Sequence, residues 1–152
     1  MVDREALLAG RRIAVLATTN ADGSPYPTAI WYMWTGEAFL MPTSGASRKA
    51  RNVQARPDAS IVVEERAPGL AGVAASGRAE VVRGEEAAEL NARIHARYLT
   101  SLGREDPRVG ARLTASDDVT IRLVPERWRS WDMRSAFGDL FEDRELVSPL
   151  DP

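Results

Sequence analysis

The stretch TSGASRKARN, Thr43 to Asn52, combines a turn, a helix start and a cluster of cations, and the interpretation of the whole chain depends on it. Ser47 is a favourable N-cap for the helix that the following residues predict. The start of that helix would hold Arg48, Lys49 and Arg51. Cations there oppose the helix dipole, so a sequence selected for stability alone would place acids in this turn. The stretch therefore breaks a local rule, and such a place is where function is sought first.

Two interpretations fit this basic segment. Gly45 permits a tight turn, and free backbone N–H groups together with the hydroxyls of Thr43, Ser44 and Ser47 suit a phosphate. The alternative is a solvated basic helix on an otherwise acidic surface. Lys49 is the single Lys among 20 basic residues, and a compact ammonium can suit a tight phosphate pocket better than the planar Arg fork. The lone Lys moves the balance modestly towards the phosphate site.

Composition excludes several classes of function. The 152 residues are enough for one domain with a real core, and the net charge of -2 argues against a dedicated nucleic-acid binder. The chain has no Cys and one His, so neither thiolate chemistry nor a multi-His metal site is expected. No apolar run is long enough for a membrane span, and the N-terminus lacks a secretory pattern. We expect a cytoplasmic protein, with no membrane partner, whose difficult chemistry is carried by an organic cofactor.

The order of elements indicates a mainly β protein with short helices. Asp22-Gly23 predicts a hairpin turn, and PYPTAIWYMW predicts one long strand with apolar residues on both faces. The segment after Ser47 predicts a helix that ends at Pro57. We expect a final pair of strands broken at Pro125. The total is about six strands and two or three helices, mostly in hairpins, which is typical of an antiparallel barrel with helical plugs.

Other candidate residues have ordinary interpretations. His95 lies in the amphipathic helix EEAAELNARIHARYL, where Ala87, Leu90, Ile94 and Tyr98 form the apolar stripe, and we expect it to be exposed or capping rather than catalytic. It could ligate haem only in a haem-binding variant. Trp128 and Trp131 alternate with Arg residues as in some nucleic-acid binders, but the strand spacing favours a packed edge strand.

The residues Ser47, Arg48, Lys49, Val53 and Pro57 form an SRKxxxVxxxP pattern directly after a strand that ends in PTS. This pattern, in its order with the DG hairpin, the aromatic strand and RPDASIVV, resembles the pyridoxamine 5'-phosphate oxidase-like superfamily, whose members bind flavin or deazaflavin. The resemblance covers roughly Arg12 to Trp131. It implies an antiparallel split β-barrel that forms a homodimer with the cofactor at the subunit interface. We expect one domain over residues 1–152, with a barrel core at 12–134 and a C-terminal tail at 135–152.

The resemblance also implies site residues. It assigns the cofactor phosphate to Ser47, Arg48 and Lys49, with support from Thr43, Ser44 and Asn52. The strand from Thr28 to Trp31 would line the ring system, and the segment from Leu70 to Gly72 could close over it. The implied cofactor-binding residues are therefore Thr28, Ile30, Trp31, Thr43, Ser44, Ser47, Arg48, Lys49, Asn52, Leu70, Ala71 and Gly72.

The chain departs from the true pyridoxamine-phosphate oxidases at two places. Thr28 and Met33 stand where those enzymes carry an Arg and a Lys for the FMN phosphate, and RWRSWDM lacks their C-terminal His. Vitamin B6 oxidation is therefore not expected. RKARN followed by ARPDASIVV is closer to the subgroup that binds the deazaflavin coenzyme F-420, although some relatives there bind FMN, haem or biliverdin.

Three functions follow as hypotheses. The leading one is an oxidoreductase that transfers hydride between F-420, or FMN, and a small apolar conjugated acceptor. It requires no acidic side chain, because water or a backbone group could supply the proton, and no catalytic residue is named. The second is a protein that binds or stores flavin, haem or biliverdin without catalysis. The third, a nucleic-acid-binding barrel, agrees least with the negative net charge.

Overall fold

Seven antiparallel strands form one sheet that encloses an apolar core. The computed structural model describes residues 2–65, 70–113 and 117–142. The spatial order of the strands is β2-β1-β5-β6-β7-β4-β3. Every neighbouring pair is antiparallel, and the mainly β split barrel predicted from the sequence is confirmed. The strands are β1 (Ala14–Thr19), β2 (Pro25–Ile30), β3 (Met33–Trp34), β4 (Phe39–Ser44), β5 (Asp58–Glu64), β6 (Ala71–Val82) and β7 (Asp118–Asp132).

Six helices accompany the sheet within the described residues, more than the two or three that were expected. They are α1 (Arg4–Ala9), α2 (Arg48–Ala55), α3 (Gly84–Tyr98), α4 (Ser101–Glu105), α5 (Pro107–Leu113) and α6 (Arg134–Glu142). None of them, over the ranges described, is long and apolar enough to cross a membrane. The helix α6 begins the predicted tail, and the rest of that tail, 143–152, lies outside the described residues.

Local signals placed two elements correctly. Gly23 has a φ of 83°, which glycine adopts without strain, and it closes the predicted hairpin turn between β1 and β2. Ser47 caps α2, because its side chain accepts a hydrogen bond from the N–H of Ala50. The helix ends at Ala55, just before Pro57.

The predicted long strand from Pro25 to Trp34 is wrong, because Trp31 and Tyr32 separate β2 from β3. The hydroxyl of Tyr98, on α3, lies at this break. It donates to the carbonyl of Arg12 at 2.6 Å and accepts from the N–H of Tyr32 at 3.1 Å. A side chain far along the chain therefore satisfies backbone groups that a continuous strand would have paired with its neighbour.

The predicted break at Pro125 is also wrong. The strand β7 runs without interruption through Pro125, and it accommodates the proline at a register shift between Ser76 and Gly77 of β6. Pro125 pairs with Gly77 and Arg127 with Ser76, so Glu126 is the extra residue of a bulge. A bulge is one of the few positions inside a sheet that accept proline, since the missing N–H needs no partner there.

The final strand is not at the edge of the sheet. It lies between β6 and β4, so the edge-strand interpretation of the Trp128 and Trp131 segment is wrong. Trp128 packs against Phe39 of the core at a ring-centroid distance of 5.8 Å and under the guanidinium of Arg4 at 4.4 Å. The Trp–Arg alternation thus reflects core packing on one face and solvated arginines on the other.

The helix α3 packs on the sheet through a polar pair as well as an apolar stripe. Asn91 is buried; its amide donates to the carbonyl of Val119 at 3.2 Å and accepts from the hydroxyl of Thr120 at 2.7 Å. These bonds fix the helix on β7 in one register, because a slip would leave buried polar groups unpaired. The same face buries His95, which is only 7% exposed, so the expected exposed or capping histidine is wrong.

Candidate functional site

An open groove of about 430 Å³ lies where β2, β4 and α2 meet the C-terminal half of α3. Five of the residues predicted from the sequence line it: Ile30, Trp31, Thr43, Ser44 and Lys49. We call it the Lys49 groove. Its wall also contains His95 and Asp118, which the sequence did not nominate. The structure thus brings part of the basic loop together with Ile30, at the end of β2, and Trp31, just after it.

Lys49 and two hydroxyls form a connected set of donors. The ammonium of Lys49 lies 3.4 Å from the Oγ1 of Thr43, which in turn donates to the Oγ of Ser47 at 3.2 Å. Lys49 has no carboxylate partner among the described residues, and burial lowers the pKa of its ammonium from the usual value. A bound anion would replace the lost hydration of this cation, so the pocket chemistry suits a phosphate.

The other two cations of the loop have partners of their own. Arg48 lies over the ring of Tyr26 at 5.3 Å, and it adds a small part to the lowering of the Asp22 pKa that comes mainly from the hydrogen bonds of Ser24. Arg51 donates to the carbonyl of Ala46 and so fastens the loop to its own helix. Arg48 is exposed and can still reach an anion, whereas Arg51 is occupied with holding the loop.

Ser44 and Gly45 shape the loop. Ser44 donates to a carboxylate oxygen of Asp117 at 2.6 Å, and this bond holds the pKa of Asp117 below its usual value. The backbone of Gly45 does not have a positive φ. Its N–H donates a hydrogen bond to the carbonyl oxygen of Asp117 at 2.7 Å. A Cβ at this position would lie only 2.7 Å from the same oxygen. The glycine is therefore needed for close backbone approach rather than for the tight turn expected from the sequence.

Asn52 and Thr28 do not line the Lys49 groove. The buried amide of Asn52 donates to Thr18 and Asn20, each at 3.1 Å, and fixes α2 on the first hairpin. Thr28 has an enclosed Oγ1 with no hydrogen-bond partner in the part of the chain described. Their roles at the cofactor stay predictions. The hydrogen bonds of Asn52 to Thr18 and Asn20 support the position of α2, the helix that carries Lys49.

Trp31 is held in a fixed orientation beside the loop. Its ring stacks on Tyr98 with a centroid distance of 4.8 Å and an interplanar angle of 3°. The imidazole of His95 meets the same indole edge-on at 6.2 Å. Aromatic pairs of this geometry are stabilising, and Tyr98 is itself fixed by its hydroxyl at the strand break. The indole therefore offers a rigid apolar wall to a flat ligand.

His95 is the residue that the sequence analysis undervalued. Burial lowers the pKa of its imidazole below the usual 6.5, so the ring is neutral at neutral pH. Its position one residue after apolar Ile94 could have suggested burial, since the helix turns 100° per residue and both can face the sheet. No local signal could have shown that the ring would reach the Lys49 groove.

Leu70, Ala71 and Gly72 lie at the opposite end of the barrel from the Lys49 groove. Ala71 pairs with Asp132 at one end of β7, whereas the groove residue Ser44 pairs with Asp118 at the other end. All three are buried, and a Cβ on Gly72 would lie 2.2 Å from the ring of Trp131. Within one chain this segment is not brought to the groove; its predicted contact with a cofactor would need a second copy.

Sequence comparison shows the family directly. The profile of the pyridoxamine 5'-phosphate oxidase family matches residues 4–132, and the chain belongs to that family. The match spans the sheet from α1 to the end of β7 and therefore includes the Lys49 groove. No curated protein matches the chain.

Solved structures share the fold over most of their length. An F-420 reductase is 25% identical with a TM-score of 0.69, and the match covers 85% of this chain and 98% of that protein. The conserved hypothetical protein Rv2991 from Mycobacterium tuberculosis is 31% identical with a TM-score of 0.71, and the match covers 88% of this chain and 86% of that protein. HutZ, a heme storage protein from Vibrio cholerae, is 20% identical with a TM-score of 0.68, and the match covers 85% of this chain and 94% of that protein. At this identity the likeness is evidence of a shared fold only.

Proposed function

We propose that the protein binds coenzyme F-420 or FMN in the Lys49 groove and acts as an oxidoreductase. The observation that carries the proposal is the half-buried ammonium of Lys49, which has hydroxyls beside it and no carboxylate partner among the described residues. A phosphate would supply the missing charge and accept hydrogen bonds from Lys49 and from the hydroxyl of Ser47. The F-420 reductase with the same fold supports the choice of deazaflavin.

Residues of the groove wall and of the adjoining basic loop have distinct parts in this proposal; Ser47 and Arg48 belong to the loop and not to the groove lining. Lys49, Ser47 and the exposed Arg48 hold the phosphate, while Thr43 orients the Lys49 ammonium. Trp31, fixed by Tyr98, positions the ring system and excludes water from one side of it. When bound, the reduced cofactor supplies a hydride to a small apolar conjugated acceptor. No catalytic side chain is assigned.

A homodimer in the cytoplasm completes the proposal. Ile13, just before β1, and Val15, on β1, expose 50% and 42% of their surface, and Ala29, the sheet partner of Val15, is exposed too. Ile13 and Ala29 also line the Lys49 groove, so a second copy on this face would cover the groove. That copy could bring its own Leu70–Gly72 segment to the cofactor, which one chain does not do.

The second candidate is a protein that binds flavin, haem or biliverdin without turnover. The observation in its favour is His95, a neutral imidazole in the groove wall that has the form required of a metal ligand. HutZ, with the same fold, is described as a heme storage protein.

A side-by-side fluorescence titration with F-420 and FMN, followed by haem, tests both candidates. Micromolar or tighter binding of F-420 or FMN, followed by oxidation of the bound reduced cofactor on adding a conjugated acceptor, supports the oxidoreductase. Binding without any turnover favours the storage protein. If neither F-420 nor FMN binds, the phosphate assignment to Lys49 is wrong.

A further inference from the structure

The amine of Lys49 is the only side-chain amine in the sequence, and it lies in the wall of the Lys49 groove. Every other residue among the Lys and Arg of the chain is an Arg, whose guanidinium stays protonated in proteins. The sequence also has no Cys. A lysine that loses its proton is a nucleophile, and a desolvated lysine loses it more readily than an exposed one. The groove therefore contains an amine nucleophile that the rest of the side chains do not supply.

The surroundings of Lys49 favour its neutral form. Burial lowers the pKa of the ammonium, so at a given pH a larger share of Lys49 is free amine than of an exposed lysine. Asp118 lines the same groove, but within residues 2–65, 70–113 and 117–142 no carboxylate forms an ion pair with Lys49. Such an ion pair would hold the proton on the nitrogen.

Hydrogen bonding orients the nitrogen of Lys49 and leaves its electron pair free. The Nζ donates to the Oγ1 of Thr43 at 3.4 Å, and this hydroxyl donates to the Oγ of Ser47 at 3.2 Å. A neutral amine that uses one N–H in this way keeps its electron pair for another partner. Because the groove is open and has a volume of about 430 Å³, a small electrophile can reach the nitrogen from solvent.

The groups next to Lys49 select the class of electrophile. The hydroxyl of Ser47 and the exposed guanidinium of Arg48 suit a phosphate, and here the inference rests on the proposed function. In an acyl phosphate, one bridging oxygen joins the phosphorus to the carbonyl carbon. A phosphate held by Ser47 and Arg48 therefore brings an electrophilic carbon next to the amine of Lys49, and such proximity accelerates a reaction. An acylating agent without a phosphate has no such anchor.

We propose that Lys49 is a self-acylation site, which takes the acyl group of a small acyl phosphate bound in the Lys49 groove. The Nζ attacks the carbonyl carbon, and a C–N bond forms as the bond from that carbon to the bridging oxygen breaks. The electron pair of the broken bond and one proton of the amine leave with the phosphate, so the products are an amide and inorganic phosphate. Acylation removes the positive charge of Lys49. It therefore regulates the site, because the groove loses the cation that a cofactor phosphate requires.

The first test compares acetyl phosphate with acetic anhydride, which transfers the same acetyl group and carries no phosphate. The variant Arg93→Lys adds a reference amine at an exposed position on α3. Peptide mass spectrometry follows the acetylation of both lysines over time in the cofactor-free protein. With acetyl phosphate we expect Lys49 to react about tenfold faster than the reference amine, and with acetic anhydride this preference should be several-fold smaller.

A second variant isolates the phosphate anchor. Arg48→Gln removes one charge beside the groove and leaves Lys49 in place. Acetylation of Lys49 by acetyl phosphate should slow by about threefold to tenfold, because a charge-assisted contact to the phosphate is lost. Its rate with acetic anhydride should stay the same. Arg56→Gln, at the C-terminal end of α2, is the matched control and should change neither rate. Equal slowing with both reagents would show that Arg48 does not hold the phosphate and would overturn the proposed route.

The regulatory consequence is measured on the modified protein. Protein acetylated at Lys49 should bind F-420 or FMN about tenfold more weakly than untreated protein, because the charge-assisted contact to the phosphate is gone. Unchanged cofactor affinity after complete acetylation would overturn the regulatory role.

Two further results would overturn the self-acylation site: equal acetylation of the two lysines by acetyl phosphate, or the same preference for Lys49 with both reagents. Failure of the proposed function has a different signature. If acetyl phosphate modifies Lys49 selectively but neither F-420 nor FMN binds untreated protein, the acylation site stands and the cofactor assignment is wrong. If a cofactor binds through Lys49 but acetyl phosphate shows no preference for it, the cofactor assignment stands and the acylation site is wrong.

Discussion

At the scale of single residues, the loop after β4 shows how function and stability compete for the same positions. Ser47 serves stability as an N-cap and serves the proposed site through the same oxygen. Lys49 is unfavourable for the stability of the fold, because its cation is half-buried near a helix N-terminus, where the helix dipole disfavours positive charge. This unfavourable placement is the reason to expect an anion there.

We expect Lys49→Ala to weaken binding of F-420 or FMN at least tenfold, because a charge-assisted contact to phosphate is lost. The thermal midpoint should stay the same or rise, since a partly desolvated cation is removed. Arg56→Ala, which removes a cation at the other end of α2, is the matched control. Unchanged cofactor affinity in Lys49→Ala would contradict the proposed phosphate site.

His95 gives a pH prediction. Burial lowers the folded-state pKa of the imidazole, so between that pKa and 6.5 the unfolded chain binds more protons than the folded one. The stability that comes from keeping the buried imidazole neutral is fully present above pH 6.5 and is lost progressively as the pH falls below that value. Urea unfolding at pH 7.5 and 5.5 should show a larger loss of stability for the native protein than for His95→Asn. Equal losses would mean that the buried imidazole does not titrate as expected.

At the scale of elements, the local signals were sufficient wherever the cause was local. The Asp22-Gly23 turn, the Ser47 cap and the end of α2 before Pro57 could all be predicted from the sequence. The break after Ile30 could not, because it depends on the Tyr98 hydroxyl, 66 residues beyond Tyr32. The continuity of β7 through Pro125 depends equally on the register of β6.

Tyr98→Phe isolates the hydroxyl at that break. The ring and its stacking on Trp31 are retained, but the N–H of Tyr32 and the carbonyl of Arg12 lose a partner. We expect the free energy of unfolding to fall by about 1–3 kcal/mol. Tyr26→Phe is the control, and denaturant unfolding of the two variants provides the measurement. Equal stability of both would show that the break forms without the hydroxyl.

The bulge beside Pro125 gives a second prediction at this scale, at the facing residue Gly77. A Cβ on Gly77 would lie 2.0 Å from the carbonyl oxygen of Val124, and backbone cannot move aside as a flexible side chain can. We expect Gly77→Ala to lower the free energy of unfolding by about 1–3 kcal/mol. Gly138→Ala meets nothing within 4 Å in α6 and should be neutral or stabilising. A neutral Gly77→Ala would show that the bulge can rearrange.

At the scale of the whole molecule, the split barrel and the family follow from the order of the elements, whereas the complete site does not. Trp31, Thr43 and Lys49, which the resemblance nominated as cofactor-binding residues, line one groove, and their contacts with a cofactor stay predictions. The sequence undervalued His95, since only tertiary packing carries α3 to that place. The predicted contact of Leu70–Gly72 with a cofactor would require a second copy, because the segment lies at the opposite end of β7 from the groove.

We expect sedimentation to give a dimer of the 16.7 kDa chain. Val15→Arg places a charge on the exposed face beside the groove and should yield monomers with weakened cofactor binding. Leu102→Arg, at a residue 78% exposed on α4, should remain dimeric. If Val15→Arg remains a dimer, the subunit interface lies on another face of the protein.

The Tyr98 hydroxyl also sets an order of events during synthesis. Tyr32, which follows the groove residue Trp31, reaches the ribosome exit 66 residues before the side chain that hydrogen-bonds to its backbone. At about 5–20 residues per second, this interval is roughly 3–13 s. During that time Trp31 and Tyr32, at the end of the nascent β1–β2 hairpin, lack their contacts with Tyr98. A chain that stalls before α3 emerges would therefore have an incomplete groove wall.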